Sequence, residues 1–196
     1  CLAGKEIDGT TFGEWIRPVS KRENGEISEE ERRFEDGQYP KLLDVIRIPM
    51  IRPNPQGFQT ENHLIDDGYH WTKIRTGTIN EVRKALDLID GPLWDNSSGS
   101  SGHGQFDRVE EKKAAKLKDS LKIIELADLQ ISVGPEGQGK RKVRGCFSLN
   151  GIKYKLAVTD PSIEAQYFAK DDGDFQYGKA ILCISLGEPF NGYAYK

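Results

Sequence analysis

With 196 residues, 36% hydrophobic and 30% charged, and a formal net charge of −3, the chain has material for one large domain or two small ones and the polarity of a water-soluble protein. No apolar run approaches the roughly 18 residues that a membrane helix needs, and CLAGKEIDG lacks the basic head and apolar stretch of a signal peptide. A slightly acidic balance means that any attraction for nucleic acid must come from local patches and not from the whole-molecule field.

In the first half, GEWIRPV (13–19) reads as a short strand broken by Pro18, and KLLDVIRIPMI (41–51) as the longest strand, favoured by β-branched residues. Pro49, Pro53 and Pro55 close that strand, since each lacks a ladder donor. The charged stretch between the two runs, 20–40, is a solvated excursion with one helical turn beginning near Ser28. HWTKIRT (70–76) is a further strand. TINEVRKALDLID places Ile79, Val82, Leu86 and Leu88 or Ile89 at near-helical spacing behind an N-cap at Thr78, and ends at Gly91 and Pro92. Trp15 and Arg17 share one side of their strand, which suits stacking on a base and contact with its phosphate. The plainer reading of such a Trp is packing, and it leads for Trp71. Asn62 and His63 follow a Pro-rich turn, where they suit contact with base edges or capping of a local turn.

The middle stretch LWDNSSGSSGHGQFDRV (93–109) has the Gly/Ser centre of a flexible spacer and polar or aromatic residues at both edges. It predicts a mobile middle, at which replacing Ser100 or Ser101 matters little. VEEKKAAKLKDS follows as a weakly amphipathic surface helix, then LKIIELADLQISV (121–133) as a strand and GPEGQG as a turn. The remaining strands are KRKVRGCFSL, IKYKLAVTD and AILCISL, with PSIEAQYFA as a short helix carrying Pro161 in its first turn. Two β-rich halves, each with one short helix, fit five-stranded Greek-key barrels of the OB type, although composition allows other small barrels equally.

Asn150 and Gly151 between two β-rich runs form the strongest hairpin signal in the chain. A two-residue turn there sets Leu149 opposite Ile152, Phe147 opposite Tyr154, Gly145 opposite Leu156 and Val143 opposite Val158, which together make the core face. The other face collects Lys142, Arg144, Lys153 and Lys155, with Cys146 and Ser148 between them. From position 138 to position 155 there are six basic residues and no acidic one, so this face is predicted to track phosphates. The competing reading is a solvated face on which Lys resists edge pairing.

Catalytic signatures are weak. His63, His70 and His103 show no metal-ligand spacing. Cys1, Cys146 and Cys183 form no CxxC pair and read as reduced thiols of a cytoplasmic protein. Glu61, His63, Asp66 and Asp67 are the nearest approach to an acid–base group. GPEGQGKRK (134–142) echoes a phosphate loop but leads into a strand, without the helix dipole such a loop uses. No catalytic residue, cofactor or metal is therefore assigned.

CLAGK, GEWIRPVS, YPKLLDVIRIP, QTENHLID, the W-x-N-S-S…G-x-x-DRV segment, KVRGCFSLNGIKYKLAVTDP and LCISLGEPFNGYAYK run in order through almost the whole chain. In order and spacing they resemble the prokaryotic dual OB domain (DuOB) family, known mainly from bacterial genomes and conflict systems. The resemblance implies two OB-like barrels in tandem and nucleic-acid or nucleotide recognition. It also draws in Asn96, Asp107 and Arg108 as polar contacts. Phe106 stands where the family pattern GxNDRV has Asn, so no ligand role is carried to it. The chain also starts and stops inside what the family completes as terminal strands.

The resulting expectation is a mainly β protein with a first OB-like domain over 1–92, a connecting loop and helix over 93–119 and a second OB-like domain over 120–196. Its expected role is a single-strand or nucleotide-binding module of a bacterial protein, with a defence or conflict system as one candidate setting, no membrane contact and a possible protein partner in a larger complex. Binding falls to Trp15, Arg17, Asn62, His63, Asn96, Asp107, Arg108, Lys142, Arg144, Lys153 and Lys155. The alternatives are a nucleotide-processing enzyme centred on His63 and a protein-interaction module.

Overall fold

The computed structural model describes residues 2–97, 99–137 and 139–196; Cys1, expected as a reduced thiol, lies outside them, as do Ser98 and Gln138. The chain is mainly β, with several sheets and a few short helices, and forms two compact units. The first runs to Leu86 and takes in Lys118–Ser120; the second holds Asp87–Leu117 and Leu121–Lys196. No helix among the described residues is long and apolar enough to cross a membrane.

The first unit contains β1 (Gly4–Asp8), β2 (Thr11–Val19), β3 (Asp44–Arg47), β4 (Met50–Pro53), β5 (Asn62–Ile65), β6 (Thr72–Thr76) and α1 (Ile79–Lys84). One sheet has the order β1-β2-β5-β4, with β2 and β5 parallel, and a second pairs β3 with β6. Pro18 does not break β2: Arg17 N–H donates to the Glu61 carbonyl at 2.9 Å, and the ring simply occupies the register position beside His63. The 41–51 run is two strands instead of one. At Pro49 the missing N–H ends the β3 ladder, while its carbonyl accepts from Asp66 N–H at 3.0 Å.

The helical turn near Ser28 is present, held by Glu31 N–H on Ser28 Oγ (3.2 Å) and Ser28 N–H on Glu31 Oε2 (2.7 Å). Phe34, Ile65 and Trp71 pack together as this unit's buried cluster, so Trp71 is a packing residue. Thr78 caps α1 in a reciprocal box with Glu81. The helix stops at Lys84, well short of Gly91, because Asp87 leaves the helical path: its N–H reaches the Ile123 carbonyl at 2.9 Å, and its carboxylate accepts Ile123 N–H at 2.7 Å.

The second unit contains β7 (Arg108–Glu110), α2 (Glu111–Ala114), β8 (Leu121–Glu136), β9 (Lys140–Leu149), β10 (Ile152–Ala157), α3 (Pro161–Phe168), β11 (Gly173–Ser185) and β12 (Tyr193–Tyr195). Its main sheet is antiparallel in the order β10-β9-β8-β11, and β7 pairs with β12. The helix expected after Val109 is reduced to the single turn of α2. The strand expected to end at Val133 instead runs on to Glu136. α3 starts where Asp160 accepts the N–H groups of Ser162 (2.9 Å) and Ile163 (3.0 Å), with Pro161 at a position that needs no donor. Alternation along β8 and β9 sends Leu129, Ile131, Val133, Val143 and Phe147 into one core with Tyr154, Leu156 and Leu93. Burying each such large apolar side chain contributes roughly 1.5–3 kcal/mol.

Candidate nucleic-acid interface

The predicted hairpin register is the observed one. Ile152 lies opposite Leu149, Tyr154 opposite Phe147 and Leu156 opposite Gly145, and Val158 N–H closes on the Val143 carbonyl at 3.1 Å. Asn150 (φ 50°) and Gly151 (φ 77°) supply the two left-handed residues that such a turn requires. Phe147 and Tyr154 stack 5.4 Å apart inside the core, which leaves Lys142, Arg144, Lys153 and Lys155 on the opposite face.

That face is less cationic than the local sequence predicts. Because β8 extends to Glu136, which lies opposite Lys140, an acidic group joins the face from outside the 138–155 window. Arg144 grips Glu136 with Nε at 3.0 and 3.1 Å and Nη2 at 2.6 Å, and Lys155 Nζ stands 3.9 Å from the same carboxylate. The Arg144 guanidinium holds Glu136 below its usual range; Lys155 and His103 act in the same direction, against burial. Arg144 is thus engaged internally, and Lys155 is half-buried beside it. Lys142 and Lys153 are exposed and, among the described residues, form no ion pair. Cys146 sits half-buried on this face as a free thiol, its pKa raised by burial, so it is protonated and inert at neutral pH. Arg141 serves the fold: it bonds Asp172 (2.7 Å) and the carbonyls of Phe168 (3.0 Å) and Lys170 (2.7 Å) at the end of α3.

The described residues of the 93–109 stretch are tied down by side-chain hydrogen bonds. Leu93 N–H and Asn96 Nδ2 both donate to Tyr154 Oη, at 2.8 and 3.0 Å. Asp107 is buried and accepts from Ser101 N–H (2.9 Å) and Ser101 Oγ (2.6 Å), while Ser100 Oγ holds Phe106 N–H (3.0 Å). The expectation that Ser100 and Ser101 are dispensable is therefore corrected, because their hydroxyls supply the hydrogen bonds that a Gly/Ser spacer would leave to water. Gln105 exchanges two backbone hydrogen bonds with Lys155, at 3.0 and 3.1 Å. Arg108 points elsewhere from its neighbour Asp107, with its guanidinium 4.1 Å from the Tyr193 ring centre. Trp94 and Phe106 both have φ near 50°, a left-handed conformation that costs a non-Gly residue about 1–2 kcal/mol. The family's Asn tolerates that backbone more easily than Phe does.

Sequence reading missed Lys196, which joins this cluster from the far end of the chain. Its Nζ donates to Asn96 Oδ1 at 2.5 Å and lies 5.5 Å from the Tyr154 ring centre. Burial lowers its pKa from the usual 10.5 to about 8, partly offset by Asp95 and Asp107. Between these values the unfolded chain holds a proton that the folded chain has released, so stability should rise from pH 8 to pH 10.5 by up to about 3 kcal/mol. Urea unfolding at pH 7.5 and pH 10 checks this; in Lys196→Met the increment should vanish.

Alongside this cluster lies an open cleft of about 510 Å³ lined by Pro92, Asn96, Gln105, Phe106, Gly151, Ile152 and Lys153. It brings together two expected contacts, Asn96 and Lys153. Pro92, Gln105, Phe106 and Ile152 carried no signal beyond their nearness to a predicted loop and turn.

In the first unit, the expected residues make contacts within the fold. Arg17 is only 11% exposed along its side chain; its Nη2 lies 3.0 Å from Glu61 Oε1 and donates to Ser120 Oγ at 2.8 Å. Ser120 Oγ in turn donates to Glu61. Asn62 is buried, with Nδ2 on Gln59 Oε1 at 3.1 Å. His63 Nδ1 lies 2.9 Å from the Glu61 carbonyl oxygen, and Trp15 carries the Lys5 ammonium 5.5 Å from its ring centre. Glu61, His63, Asp66 and Asp67 do not converge: Glu61 belongs to Arg17, Asp67 to Lys21 (2.9 Å) and Asp66 Oδ1 to Gly68 N–H (3.2 Å). Among the described residues, no three His, Cys, Asp or Glu side chains are placed to hold a metal.

A family model for the dual OB-containing domain matches residues 1–196. The chain belongs to that family. No curated protein and no solved structure matches it.

Proposed function

We propose that this dual OB chain is a binding module for single-stranded nucleic acid or nucleotides, with its contact surface on the outer face of β9 and β10. In this reading each compact unit is one OB-like Greek-key barrel, and the module works without chemistry of its own inside a bacterial, cytoplasmic defence or conflict assembly. The strand order of the second unit supports the Greek-key part of this reading. β8, β9 and β10 follow one another by hairpins, and β11 returns past α3 to lie beside β8, the 4-1-2-3 order of a Greek key. OB folds bind oligonucleotides on the face of their second and third strands, which here are β9 and β10.

The observation that carries the proposal is the pair Lys142 and Lys153, two exposed ammonium groups left open on that face while Arg144 is neutralised by Glu136. A backbone phosphate meets charge there without having to displace an internal partner. Labelled single-stranded DNA, single-stranded RNA and duplex, titrated at two salt concentrations, test the reading. Single strands should bind at low salt, and Lys142→Ala/Lys153→Ala should make the log–log salt slope shallower by about 1.4, two phosphate contacts at roughly 0.7 each. Absence of binding at low salt, or a slope unchanged in the double variant, overturns the proposal. The enzyme reading draws no support from the arrangement around His63.

A further inference from the structure

We propose that the cleft between Pro92, Phe106 and Ile152 receives one nucleobase of the bound strand and prefers bases that carry a ring carbonyl oxygen over adenine. This deepens the reading above and rests on it, because the cleft adjoins the phosphate-tracking face through Lys153.

The walls supply a flat apolar seat. Phe106 is half-buried and meets Tyr154 edge-on, with ring centres 6.3 Å apart and planes at 67°. That contact fixes the tilt of the Phe106 ring while part of the ring lines the cleft. The backbone holds the ring there at φ 50° against its own preference, because its neighbours on both sides are pinned: Gln105 to Lys155 and Asp107 to Ser101. A bulky aromatic kept in a disfavoured conformation at the lip of a cleft is a feature of binding sites more than of plain packing. At the turn, a Cβ added to Gly151 would meet nothing within 4 Å, so the approach over the hairpin tip is open.

The polar groups set the preference. Asn96 Oδ1 is taken by Lys196 Nζ, and one Nδ2 hydrogen by Tyr154 Oη. The amide keeps its second N–H as a donor on a side chain already locked in place, while its oxygen faces the Lys196 ammonium. Lys153 adds a second donor. Gln105 spends its backbone groups on Lys155 and keeps its side chain exposed at the cleft, able to donate or accept. Two donors and one adaptable amide match the carbonyl oxygens of thymine, uracil, guanine and cytosine; adenine has no exocyclic oxygen to offer them.

The test compares dT and dA oligomers of equal length on the wild-type chain, Phe106→Asn, Gln105→Ala and Lys142→Ala. Phe106→Asn removes the ring but suits the left-handed backbone, so the loop stays folded. It should weaken dT binding at least fivefold, within the range seen for removing a base-stacking aromatic, and leave the salt slope unchanged. Gln105→Ala should narrow the dT over dA preference, whereas Lys142→Ala should change the slope and keep the preference. Salt-dependent binding that is indifferent to Phe106→Asn, or equal affinity for dT and dA on the wild-type chain, overturns the cleft assignment alone. Failure of the wild-type chain to bind either oligomer at low salt overturns the phosphate-face reading together with it.

Discussion

Glu61→Ala is expected to lower the stability of the first unit by about 3–5 kcal/mol. The side chains of Arg17 and Glu61 are 11% and 5% exposed, and Ser120, itself fully buried, links them. Removing the carboxylate leaves the guanidinium buried without that counter-charge, in surroundings where water cannot replace it. Removing both charges is a different matter. Arg17→Met/Glu61→Leu should recover most of the loss, because apolar groups of similar size avoid the desolvation cost that the ion pair only roughly offsets. Urea unfolding monitored by tryptophan fluorescence reads both variants. A loss below 1 kcal/mol in Glu61→Ala would show that the pair is relieved by solvent and that the buried-pair account fails. Oligonucleotide affinity, measured at temperatures where the variants remain folded, should be unchanged by the double substitution, since the Arg17 guanidinium is buried against Glu61 and Ser120.

Gly104→Ala is expected to cost roughly 2–4 kcal/mol through overpacking and broken hydrogen bonds. A Cβ on Gly104 would stand 2.6 Å from the Lys155 carbonyl oxygen and closer still to the Asp107 carboxylate. Neither neighbour can yield cheaply. Lys155 O accepts Gln105 N–H at 3.0 Å, and the Asp107 carboxylate holds Ser101 through two hydrogen bonds. Whichever gives way, the 99–107 loop shifts and the cleft beside Phe106 loses its shape, so weakened dT binding should accompany the lost stability. Gly134→Ala is the control: a Cβ there meets nothing within 4 Å and the backbone is not left-handed, so denaturation midpoint and affinity should both stay near wild type. A Gly104→Ala protein with an unchanged midpoint would mean that the loop is looser than its hydrogen bonds imply.

Much of the β architecture is legible in the chain because it rests on near neighbours. The Asn150 and Gly151 turn needs only two residues that accept positive φ, and once it forms, the two-residue period of a strand decides which side chains face the core. Thr78 with Glu81, and Asp160 with Pro161, announce their helix starts for the same local reason. Elements whose ends depend on remote partners are not legible in this way. α1 is cut short by the bond between Asp87 and Ile123, 36 residues apart. β8 outlasts its apolar stretch because Glu136 finds Lys140 across the strand pair. Pro18 has the local signature of a strand breaker, yet in the pairing with β5 it is Arg17, not Pro18, that donates to the Glu61 carbonyl.

The same division runs through the site. By itself the sequence determined the hairpin, its register, and the separation of Lys142, Arg144, Lys153 and Lys155 from Phe147 and Tyr154, because a tight turn and strand alternation leave no other arrangement. Only the tertiary structure decided which of those charges remain open. Glu136 reaches Arg144 across neighbouring strands, and Lys196 meets Asn96 over a separation of 100 residues. Arg17 is spent on Glu61 in a buried pair. Charge is a property of the residue, whereas its availability is set by burial and by whatever opposite charge the fold brings within a few ångströms.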